Sequence, residues 1–121
     1  MSDRRQRIGR AGEDAAAKHL VEAGHTLITR NWRCPAGEID IVTRDGDTLV
    51  IVEVRARSSR RFGTPEESIT PAKQATLLAC GQYLVAEMEW AGPWRIDVVA
   101  VEMGSAGNPA RIRVIPHAVE A

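Results

Sequence analysis

The sequence predicts a single α/β domain over residues 1–121, a mixed central sheet flanked by helices in the order α-β-β-β-α-β-β. Three observations carry this. Gly37–Val42 and Leu49–Arg55 are rich in β-branched residues and flank the turn dipeptide Asp45-Gly46, which reads as a hairpin. Thr70-Pro71 opens a helix, with Thr as N-cap and Pro at the first position. That helix lies between the hairpin and a further strand, so a right-handed crossover would make the two flanking strands parallel.

Residues 5–23 form the first helix: Ile8, Ala11, Gly12, Ala15, Ala16, His19, Leu20 and Ala23 recur at spacings of three and four, and Gly24 stops it. Glu13 precedes Ala16, Ala17 and Leu20 on the helix, so it borders the buried face, with Arg10 or Lys18 as surface partners. His25 to Trp32 is the first strand, and Cys34-Pro35-Ala36-Gly37 a loop before the hairpin. Ala56 to Ile69 is a polar loop, rich in Arg, long enough to be either functional or mobile. The second helix runs from Pro71 to about Met88 on the stripe Leu77, Leu78, Gly81, Leu84, Val85, Met88. Lys73 shares a face with Leu77, Cys80 and Leu84, so its side chain leaves the first turn toward the sheet; snorkelling to solvent is the alternative. Trp94 to Glu102 is a strand, and Arg111 to Ile115 an edge strand ended by Pro116.

At 121 residues, 44% apolar and 26% charged, the chain has ordinary globular composition. No apolar run approaches the ~20 residues of a membrane span and no signal-peptide core follows the N-terminus, so a cytoplasmic location is expected. Cys34 and Cys80 stand far apart, which predicts two reduced cysteines. Sixteen basic and sixteen acidic residues cancel, arguing against a general polyanion-binding surface but not a local one. Arg55, Arg57, Arg60 and Arg61 cluster behind the second hairpin strand, either as a solvated loop or as phosphate contacts. No GxSxG, P-loop or HExxH motif occurs, and His25 and His117 stand alone.

Acids inside β-branched strands need partners, because an ionised carboxylate is costly to bury alone. By simple alternation Glu38, Asp40 and Val42 share one face, and Glu53 shares a face with Arg55. A two-residue loop at Asp45-Gly46, or a four-residue loop at Arg44 to Asp47, pairs Asp40 with Ile51 and Glu38 with Glu53. Asp40 would then lie diagonal to Glu53, ~7–8 Å away at the backbone and within reach of a shared ion. A three-residue loop would separate them. Converging acids raise one another's pKa, and a divalent cation relieves the conflict. Oxygen ligands of this kind suit Mg²⁺, which takes one or two carboxylates together with waters and phosphate oxygens. Pairing of Glu38 and Glu53 with Arg55 and Arg57 is the purely structural alternative.

Gly37-Glu38-Ile39-Asp40-Ile41-Val42, Val52-Glu53-Val54-Arg55-Ala56-Arg57, Thr70-Pro71-Ala72-Lys73 and Arg95-Ile96-Asp97-Val98-Val99, with Gly9-Arg10-Ala11-Gly12-Glu13 in the first helix, resemble the bacterial YraN family. That family is placed by similarity in the PD-(D/E)XK nuclease-like superfamily, close to archaeal Holliday-junction resolvases. The resemblance spans nearly the whole chain and implies a restriction-endonuclease-like fold. It implies Asp40 and Glu53 as metal-binding acids, with the backbone carbonyl of Val54 as a further ligand, and Glu13 as an acid brought from the first helix. Arg55 stands where the superfamily has lysine; it keeps the charge but cannot act as a base. Lys73 is the candidate replacement amine. Ile39 replaces the proline that precedes the first acid. Asp97 reads as structural, pairing with Arg95 or a loop arginine.

The function implied is a Mg²⁺- or Mn²⁺-dependent phosphodiester hydrolase acting on DNA, branched or structured DNA included, with Arg57, Arg60 and Arg61 positioning the backbone. Two other classes compete. Arg55 in the lysine position favours a nucleic-acid-binding module that has lost catalysis. Zero net charge and the segment Trp90-Ala91-Gly92-Pro93-Trp94 favour a protein-interaction domain. A domain this small is compatible with working as a homodimer, although no stretch marks an interface.

Overall fold

The structure, a computed structural model, describes residues 4–58, 69–104 and 107–119, and of residues 4–8 the backbone alone. Its elements are α1 (Arg4–Glu22), β1 (Thr26–Cys34), β2 (Gly37–Asp45), β3 (Thr48–Arg57), α2 (Pro71–Glu87), β4 (Trp94–Met103) and β5 (Pro109–Val119). The five strands form one mixed sheet in the order β1-β2-β3-β4-β5. β3 and β4 run parallel, as a helical crossover between them requires, and the other pairs are antiparallel. This is the predicted element order, and it is consistent with a restriction-endonuclease-like fold.

Each helix covers one face. Against α1, Ala16, Ala17 and Leu20 pack on Ile41, Val50, Val52, Val99, Val101 and Met103. Against α2, Leu77, Cys80 and Leu84 pack on Ile39, Val42, Leu49, Ile51 and Ile96. β3 is covered on both sides, which is why Leu49-Val50-Ile51-Val52 is uninterruptedly apolar. Each such side chain contributes about 1.5–3 kcal/mol by leaving water. Thr70 caps α2 by accepting from the Lys73 N–H at 3.1 Å. The helices lie close because two glycines allow it. A Cβ on Gly12 would sit 2.6 Å from the Ala56 Cβ, and one on Gly81 would sit 2.5 Å from the Trp94 ring.

Strand ends and one exposed-looking segment differ from expectation: β1 reaches Cys34 and β3 reaches Arg57, both expected in loops. β5 continues through Pro116 to Val119. It is an edge strand, where a missing N–H is tolerated, and its ladder with β4 is irregular at that point: Ile96 and Val98 pair with Val119 and Ile115, leaving Asp97 opposite a bulge. The Trp90–Trp94 segment is not a free surface. Both indoles are half-buried against the α2-side core, and the Trp90 N–H donates to the Pro93 carbonyl at 2.8 Å. Among the described residues no helix is long and apolar enough to cross a membrane.

Candidate active site

The hairpin turn is Gly46-Asp47, one position later than expected, because Asp45 pairs with Thr48 and Ile41 with Val52. The register is thus two residues from the predicted one. Continued by one step it sets Asp40 directly opposite Glu53, not diagonal to it. The ladder ends there. β2 and β3 stop pairing beyond Ile41 and Val52 although both strands continue, so the sheet forks.

Asp40 sits in the fork. Its Oδ2 accepts the Val54 N–H at 2.8 Å, the donor that β2 no longer satisfies. An extended residue sends its N–H and C=O to the same neighbour, so the Val54 carbonyl faces the same gap. The predicted sharing of one face by Glu38, Asp40 and Val42 does not hold. Ile39 packs against the α2-side core, but Ile41 packs against the α1-side core, so alternation breaks at Asp40. The cause lies across the ladder. Arg30 pairs with Ile41 and Trp32 with Ile39, leaving Asn31 opposite Asp40 with a left-handed φ of 53°. Asn tolerates that conformation better than most residues.

Glu53 lies on the α2 side and is almost buried, its side chain 5% exposed. Its Oε2 meets the Arg55 guanidinium at 3.1 Å and the Lys73 ammonium at 3.4 Å. The first contact is the same-face pairing expected along β3. The second confirms that Lys73 turns from the start of α2 toward the sheet. Burial first, and then the adjacent Asp40 carboxylate by charge and hydrogen bonding, push the Glu53 carboxyl up to about 7; Lys73 and Arg55 pull the other way. The desolvation and the second acid outweigh two cations.

Glu13 approaches from α1, carried in by the close Gly12–Ala56 contact. Its partner is neither Arg10 nor Lys18. Arg30 reaches it at 3.4 Å while also holding Asp14 at 2.8 Å. The Asn31 amide, oriented to donate, bridges Glu13 and Glu38 at 3.2 and 3.1 Å. Partial burial and then the Asp40 charge raise the Glu13 carboxyl above its ordinary value. Among the described residues no three His, Cys, Asp or Glu side chains gather closely enough to hold an ion unaided. The fold therefore brings Asp40, Glu53, Arg55 and Lys73 together, with Glu13 and Glu38 alongside on their own polar ties.

Arg57 ends β3, half-buried; Arg60 and Arg61 lie outside the described residues. Glu38 meets Arg33 at 3.9 Å rather than Arg55 or Arg57. Spacing did not single out Arg30 or Asn31. The available signal was an Asn inside a strand, a placement that strands disfavour and that marks a local irregularity. Asp97 is structural, as expected. It is buried, accepts the Arg95 Nε–H on both oxygens at 3.1 Å, and takes the His117 N–H at 3.1 Å across the β5 bulge. Arg95 continues to Asp45 at 3.0 Å, and His25 bonds Thr43 at 2.8 Å, so His25 is not isolated.

The family described as "Uncharacterised protein family UPF0102" matches residues 12–101. The chain belongs to the UPF0102 family. This is the YraN family that the motifs resemble, and placement in the PD-(D/E)XK superfamily is consistent with it. A UPF0102 protein of Roseiflexus castenholzii is 47% identical over 99% of this chain and 98% of its own length. One from Nocardioides sp. is 58% identical over 86% and 85% respectively. UPF0102 protein STH1475 of Symbiobacterium thermophilum is 44% identical over 96% and 98%. UPF0102 relatives of this length thus match nearly all of the two-helix, five-strand unit.

Proposed function

We propose that this UPF0102 protein is a Mg²⁺- or Mn²⁺-dependent phosphodiester hydrolase acting on DNA, with branched or structured DNA among its substrates. The supporting observation is the position of Glu53: a nearly buried carboxylate set against Asp40 and flanked by Lys73 and Arg55. Two acids crowded at a sheet fork, with a strand carbonyl on the same edge, form a hard-oxygen donor set that fits a small divalent cation. Such a cation would be held by Asp40, Glu53 and the Val54 carbonyl, and would supply an activated water and charge neutralisation at a phosphate.

The remaining roles belong to the chain. Glu53 Oε2 holds Lys73 and Arg55 beside the fork. Lys73 is placed to steady phosphate charge and, unlike Arg55, has an amine able to exchange a proton. Among the described residues the buried Arg55 Nε–H has no hydrogen-bond partner, which makes it a donor suited to a phosphate oxygen. Arg57, with Arg60 and Arg61 following in sequence, would supply positive charge for contacts with the nucleic-acid backbone.

Purified protein incubated with branched and linear DNA plus Mg²⁺ or Mn²⁺ tests this. Cleavage is expected, and Asp40→Ala and Glu53→Ala should each abolish it. Cleavage that survives both substitutions would overturn the assignment. DNA binding without cleavage under any metal, with log affinity falling linearly against log salt, would establish a binding module instead, which Arg55 in the lysine position favours.

A further inference from the structure

Cys34 and Cys80 are far apart in sequence, but the fold brings them together at the edge of the α2-side core. Cys34 ends β1 and pairs across the ladder with Gly37. A Cβ on Gly37 would lie 3.4 Å from the Cys80 Sγ. Cys34 packs against the same core cluster that contains Cys80. Both thiols are free, Cys34 half-buried and Cys80 fully buried. Cys34 is partly exposed to small oxidants, whereas Cys80 is shielded from solvent.

We propose that Cys34 and Cys80 form an oxidisable dithiol, in which Cys34 reacts first with a hydroperoxide and Cys80 resolves it to a disulfide clasping β1 to α2. In the first step the Cys34 thiolate attacks a peroxide oxygen. The O–O bond breaks, and Cys34 becomes a sulfenic acid as water departs. In the second, Cys80 Sγ attacks the Cys34 sulfur. The S–OH bond breaks and leaves as water with the Cys80 proton. Two thiols and one hydrogen peroxide thus give one disulfide and two waters. The division of labour is electrostatic as well as steric. Burial and the hydrogen bond with Cys34 push the Cys80 thiol up to about 11, so Cys80 keeps its proton until the second step. Lys73 and Glu53 both act on Cys80 through their charges, and Lys73 lies two turns before it on α2. A disulfide would therefore fix the helix that carries Lys73. The proposal does not depend on what the acids do.

The full chain is treated with an equimolar amount of hydrogen peroxide, then read by intact mass, non-reducing peptide mapping and thermal unfolding. The mass should fall by two hydrogens and a Cys34–Cys80 peptide should appear. The unfolding midpoint should rise by roughly 10 °C, and dithiothreitol should reverse all three. Cys34→Ala, at the half-buried position, should abolish each response and leave the Cys80 thiol unreacted. Oxygen adducts accumulating on Cys34 beside a free Cys80 thiol, or dimers linked through Cys34, would overturn the proposal. So would an unshifted midpoint in the disulfide-linked chain.

Discussion

The Asp40 carboxylate accepts the Val54 N–H at 2.8 Å at the point where β2 and β3 separate. A side chain thus replaces the ladder bond that the fork removes. Asp40→Ala strands that donor and should cost about 1–3 kcal/mol, whereas Asp40→Asn keeps an acceptor and should cost less. Guanidinium unfolding of both variants in chelator-treated buffer reads the difference.

Glu53 should make the metal-free protein less stable as pH rises. Its carboxyl is raised from an ordinary 4.5 to about 7, so between those values the folded state holds a proton that the unfolded state has released. Unfolding free energy therefore falls with rising pH across that window, by an amount on the order of a few kcal/mol, and flattens above it. Glu53→Gln should flatten the profile. Asp40→Asn should shift it to lower pH by removing the neighbouring charge. Denaturation midpoints at pH 5, 6, 7 and 8 test the sign.

Under the proposed metal function, millimolar Mg²⁺ or Mn²⁺ should stabilise the wild-type protein at pH 8, because the ion binds only the folded arrangement. It should leave Glu53→Gln unchanged. Thermal unfolding with and without chelator measures this without requiring turnover.

Gly12 brings α1 onto β3, and Glu13 follows it. Gly12→Ala places a methyl 2.6 Å from the Ala56 Cβ and should destabilise by about 1–3 kcal/mol through overpacking. Gly12→Ala combined with Ala56→Gly should recover much of that loss, which a double-mutant cycle quantifies.

Asp97 balances Arg95 and takes the His117 N–H in a buried setting. Asp97→Ala leaves Arg95 with Asp45 as its carboxylate partner and strands the His117 N–H, and should cost about 1–3 kcal/mol, read by urea unfolding. Where cleavage is measured, the same variant should affect it only through stability.

Much of this arrangement was legible in the residues. Periodicity located both helices, Thr70-Pro71 marked the start of α2, and the order of elements implied the parallel β3–β4 pair. Lys73 was traceable to the sheet side because helix geometry ties it to Leu77, Cys80 and Leu84. What was not legible is non-periodic. The turn fell at Gly46-Asp47, since a turn dipeptide names a neighbourhood and not a register. The break at Asp40 was hidden because alternation assumes an unbroken strand, whereas Asn31 supplies a left-handed residue opposite it. Arg30 belongs to an edge strand, and its grip on Glu13 depends on a helix-to-sheet approach that only Gly12 hints at.

The two acids at the fork would fare differently under relaxed selection. Asp40 supports the backbone whether or not anything reacts, so a lineage that abandoned the chemistry would still gain by keeping it. Glu53 is held in a surrounding that resists its charge, and Gln or an apolar residue there would ease the fold. An acid at position 53 is therefore the costlier of the two to retain. Its persistence among descendants of this chain would report working chemistry, and its loss, with Asp40 left in place, would be the first mark of a retired site.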